Sequence, residues 1–90
     1  MDQGKVKIVV VKHPHCGIPY TFRAPEHDLQ VGWFVLCKTK VSDREVGICI
    51  TPSFEIGEKE LELYYGVKSQ HLKPVVGLLM PMMFPEEKDE

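Results

Sequence analysis

Tyr20 and Phe22 alternate within a short apolar stretch, Tyr20-Thr21-Phe22-Arg23, and cations follow downstream at Lys38, Lys40 and Arg44 and again at Lys73. Aromatic rings that stack bases, with cations tracking the phosphates, are how small OB-like barrels hold single nucleic acid strands. The same residues have a plainer reading. Alternate residues of a strand share a face, so both rings could fill a core while the cations are merely solvated. His13, His15 and Cys16 supply metal-ligating types, but their spacing fits no ordinary zinc pattern and a second ligand pair is missing, so they read as a polar loop. Cys37 and Cys49 lie on facing arms of an apolar hairpin and read as core thiols. No Gly-rich phosphate loop or dinucleotide fingerprint occurs. No catalytic arrangement stands out, and the expectation is a protein that is not an enzyme and needs no cofactor.

The elements that must position these residues are organised around positions 29–56. There, Trp33-Phe34-Val35-Leu36-Cys37 and Val46-Gly47-Ile48-Cys49-Ile50 form the arms of a β-hairpin, rich in types that fit a pleated, half-buried surface, with Val41-Ser42-Asp43-Arg44 as the turn and 38–45 as the tip. Gly32 precedes the first arm and Gly47 interrupts the second, where a missing side chain marks a bend, a bulge or a close backbone approach. Upstream, the run KVKIVVVK predicts a first strand over residues 5–12, polar at its ends and buried on both faces in the middle. The segment 13–19 concentrates Pro and Gly and must be a loop. Residues 20–23 form a short second strand. Beyond Pro52 the β character fades, and EKELELYY at 58–65 fits either a short helix stopped by Gly66 or an extended segment. LKPVVGLL at 72–79 is the last strand. Together these predict a mostly β fold: a small curled five-stranded antiparallel sheet or barrel, OB-like or SH3-like, with at most one short helix confined to 53–71.

At 90 residues, with 43% hydrophobic and 27% charged residues, the chain fits one globular domain, placed at 1–85, followed by a solvated, disordered acidic tail at 86–90. The net charge of −2 argues against strong phosphate binding. The charge is unevenly spread, however. Residues 1–54 carry seven Lys or Arg against five Asp or Glu, whereas residues 55–62 hold four Glu and one Lys, and residues 86–90 hold four acids and one Lys. Three unpatterned cysteines suggest a reducing compartment, with the cytoplasm as the expectation. No signal peptide or membrane-spanning run is read, the longest apolar stretch being broken by Pro81. Met80, Met82, Met83 and Phe84 form an apolar end expected to pack on the sheet or on a second copy of the chain, which makes a homo-oligomer one expectation.

Read in order, IPYTFRAPEHDLQVGWFVLCKTK, REVGICI and HLKPVVGLLMP resemble the N-terminal DNA-binding domain of the primosomal replication-restart helicases. That domain shows an aromatic-Asp-aromatic triplet leading into a Pro, a "VG" turn, a basic hairpin followed by "GIV", and a late "LKP" strand. The resemblance runs through most of residues 5–81. It implies an OB-like fold that holds the 3' end of a nascent DNA strand, with Tyr20, Thr21 and Phe22 matching the triplet and Lys73 the lysine, all at the terminal-nucleotide pocket. Thr21 stands where the family has an Asp, so selectivity for a free 3' hydroxyl is expected to be small. The tip VSDRE is less basic than the family's, and 52–70 is longer and more acidic. No helicase motif follows, and the initial Met and charged tail favour a complete small protein over an excised piece. The resulting expectation is a non-catalytic module that binds single-stranded DNA or a DNA 3' end weakly during replication or restart, through Tyr20, Thr21, Phe22, Lys38, Lys40, Arg44 and Lys73, with other replication proteins as further candidate partners. The alternative is a protein-interaction adaptor that keeps the scaffold without the DNA site.

Overall fold

The computed structural model describes residues 4–79. The fold is mostly β, and its curled antiparallel sheet follows a five-strand path in the order β2-β1-β4-β3-β6, with a further strand, β5, pairing β1 off the path. The strands are β1 (Lys5–Lys12), β2 (Tyr20–Arg23), β3 (Phe34–Cys37), β4 (Glu45–Cys49), β5 (Phe54–Gly57) and β6 (Val75–Leu78). The curled sheet and, among the described residues, the one short α-helical turn agree with an OB-like small barrel.

β1 is central because its apolar run supplies two cores at once. Val9 and Val11 face one cluster with Phe22, Ala24, Leu29, Val35, Cys37, Cys49 and Val75. Val6 and Ile8, on the opposite face by the two-residue period of a strand, pack with Leu61 and Leu72. The β3–β4 hairpin pairs Phe34 with Ile48 and Cys37 with Glu45. Its tip is tied by Thr39, whose hydroxyl oxygen accepts from the Val41 and Ser42 amides, each at 3.2 Å.

Pro52 does not end the sheet as the sequence suggests. β4 pairs β1 only at Val11 and Lys12, which leaves the edge of residues 5–8 open, and β5 fills it, pairing Ile8 with Phe54 and Lys5 with Gly57. The alternation of Phe54 and Ile56 then sets both against the second core. Between the two readings of EKELELYY, the structure takes the helical one. A helical turn α1 (Glu58–Glu60) continues as a π-helical turn (Leu61–Tyr65), anchored by fully buried Leu61 and stopped at Gly66, which adopts φ 71°. After a 3-10 turn (Ser69–His71), the chain enters β6.

The two ends of the strand path approach each other at one point. Arg23 bridges Pro74 in parallel fashion, and the Arg23 amide donates to the Lys73 carbonyl at 2.9 Å. Glycine is required at position 47, where a Cβ would overlap Val11 Cγ1 and lie 3.1 Å from His13 Cδ2. Both neighbours belong to packed side chains, one of them the stiff, β-branched Val11. Gly47→Ala is therefore expected to cost roughly 1 to 2 kcal/mol, read as a lowered urea midpoint at unchanged m-value. An unchanged midpoint would show that β1 and β4 can separate without loss. Among the described residues no helix is long and apolar enough to cross a membrane. Met80, Met82, Met83, Phe84 and the acidic tail lie outside the described residues.

Candidate functional site

β2 has its two edges in different situations. The register that pairs Thr21 with Val10 and Phe22 with Val9, with the Ala24 amide donating to the Lys7 carbonyl at 3.0 Å, turns the peptide groups of Thr21 and Arg23 away from β1. Arg23 spends its outward N–H on Lys73, and its guanidinium donates to the Ser69 carbonyl at 2.7 Å. These bonds hold residues 67–73 alongside β2. The hairpin tip approaches from β4. Between them lies a cleft of about 560 Å³, bounded by β2, the loop before it, the hairpin tip and the 67–73 segment.

Five of the seven residues expected to contact DNA line this cleft: Tyr20, Thr21, Phe22, Lys40 and Lys73. Lys38 and Arg44 are exposed and do not line it. The two aromatics differ sharply. Tyr20 is 51% exposed, so its ring is available to a ligand, whereas Phe22 is 4% exposed and belongs to the first core. The Phe22 ring meets the His13 ring edge-on, with centroids 5.6 Å apart. Thr21 is half-buried.

His13, His15 and Cys16, read from the sequence as a polar loop, also line the cleft, together with Thr39, Val41, Glu45, Val67 and His71. Glu45 accepts from the Thr39 hydroxyl at 2.7 Å through Oε1 and from His15 Nε2 at 2.8 Å through Oε2, so its carboxylate ties the hairpin to the 13–19 loop. The Thr39 bond chiefly holds the Glu45 carboxyl below its usual range, with His13 and His15 adding to the effect against the opposing influence of burial. Its side chain is 15% exposed. His13 is buried, and its Nε2 has no hydrogen-bond partner. Val67 and His71 complete the wall opposite the tip. The signal available for His13 and His15 was their residue type. For Glu45 and His71 there was none, because their roles depend on neighbours distant in sequence.

The two thiols of the hairpin arms lie in the core. Burial pushes the Cys37 thiol up to about 12, helped by Cys49 and Glu45, and burial alone pushes Cys49 up to about 11. Neither is a thiolate at neutral pH. Among the described residues, no group of three or more His, Cys, Asp or Glu side chains is placed to hold a metal ion. No family model matches the sequence, and neither a curated protein nor a solved structure is found similar to it.

Proposed function

We propose that the chain is a non-catalytic DNA-binding module that holds a nucleotide of a single DNA strand in this cleft, in a replication or restart setting. One observation carries the reading: an exposed aromatic, Tyr20, lines a cleft of nucleotide size together with Lys40 and Lys73. A base stacks on the ring while the lysines meet the phosphates on either side. Lys38 and Arg44, outside the cleft but exposed on the same hairpin, add long-range attraction. The net charge of −2 sets a weak affinity that falls steeply with salt. Thr21 offers an uncharged hydroxyl to a strand end, which supports only a small preference for a free 3' hydroxyl.

Fluorescence anisotropy with a short single-stranded DNA at two salt concentrations tests this. Lys73→Ala is expected to weaken binding for all sequences and to reduce the salt slope by about one phosphate's worth. Absence of binding even at low salt would remove the proposal. A second reading, a protein-interaction adaptor, is favoured by the helical segment, where Leu63 and Tyr64 are 74% and 71% exposed beside several glutamates. Exposed apolar side chains of this kind suit a protein partner.

A further inference from the structure

We infer that the cleft selects among bases, preferring guanine, and that Glu45 is the residue that reads it; this rests on the nucleotide-binding reading above. A carboxylate is a poor neighbour for a phosphate. Its presence in a cleft that also holds Lys40 and Lys73 therefore calls for a division of labour, with the ammonium groups on the phosphates and the carboxylate on a donor of the base. Glu45 is prepared for that role. Thr39 and His15 fix its two oxygens, one bond to each, at 2.7 and 2.8 Å, and the same partners keep it ionised. An ionised carboxylate is acceptor-only, and each oxygen here retains a second acceptor site.

The bases differ in what they present to such a group. Guanine alone carries two adjacent donors, N1–H and the N2 amino group, spaced to meet both oxygens of one carboxylate. Cytosine and adenine offer one amino group beside a ring acceptor, which the carboxylate repels. Thymine offers a single N–H between two carbonyls and is the worst match.

The test uses the full chain at low salt. A dye-labelled dT octamer is competed off by unlabelled octamers carrying one central dG, dA or dC, or none. The dG competitor is expected to bind about five- to a hundredfold more tightly than all-dT, the range a good bidentate contact gives. Glu45→Gln, checked for folding by its thermal transition, should bring the ratio close to one. Glu45→Asp, which keeps the charge on a shorter arm, should keep part of it. Equal affinity of the wild-type protein for all octamers overturns the inference and leaves the cleft reading standing. A dG preference that survives in a folded Glu45→Gln protein overturns the assignment to Glu45. Failure of every octamer to bind removes both.

Discussion

Phe22→Ala is expected to lower the free energy of unfolding by about 3 to 5 kcal/mol, the usual cost of deleting a buried phenyl ring. The ring is 4% exposed and sits among Val9, Val11, Leu29, Val35 and Val75. These neighbours come from three strands and a loop, so the structure cannot collapse around the gap by moving one of them. A domain of this size is stable by only ~5 to 15 kcal/mol, and the substitution would leave a protein near the threshold of folding. Urea denaturation read by far-UV circular dichroism gives the answer directly. A loss of under about 1 kcal/mol would mean that the ring does not fill the core. Any fall in DNA binding by this variant would then have to be judged at a temperature where it remains folded.

Tyr20→Ala is expected to do the reverse: a small change in stability and a large loss of binding. The ring is half exposed at the first residue of β2, paired with Val11 on one side only. Its removal takes little apolar surface out of the core. Stacking of one base on an aromatic is worth about 1 to 3 kcal/mol, so affinity for single-stranded DNA should drop about five- to a hundredfold. Tyr20→Phe should restore most of it, since the stacking surface is kept and only the hydroxyl is lost. If Tyr20→Ala binds like wild type at low salt, the cleft is not where the base sits. The acidic, aromatic helical segment would then become the surface to pursue with protein partners. The pair of variants is informative because the two rings are two residues apart on one strand, yet one supports the fold and the other faces the cleft.

The sequence by itself determined the strands whose patterns are local. The run of Val and Ile in β1 is continuous because both of its faces are buried, and its composition reports that without reference to any other part of the chain. The hairpin is equally legible: its arms carry their own β-forming types, Gly47 marks a bend, a bulge or a close backbone approach, and the connection at the 38–45 tip is polar. Gly66 marks the end of a helical turn because its left-handed conformation suits glycine. The mostly β, curled, antiparallel class follows from these pieces. The lysine, tyrosine and threonine of the cleft were readable as residue types able to contact a nucleotide.

Only the tertiary structure decided depth and proximity. A period of two tells which residues share a face but not how far along the strand the cover extends, so it could not separate Phe22, under the core, from Tyr20, at its margin. That boundary is set by Val75, which joins Phe22 in the core from a strand some fifty residues on. The bridge from Arg23 to Pro74 likewise brings Lys73 to β2. β5 was invisible for a related reason: Phe54 to Gly57 becomes a strand because β1 has an open edge there, and an open edge is a property of the assembled sheet. Glu45, His15 and Thr39 form one hydrogen-bonded unit across thirty residues of sequence, joining two loops that carry no shared motif. Hydrogen bonds act over about 3 Å, and only folding brings such groups within that range.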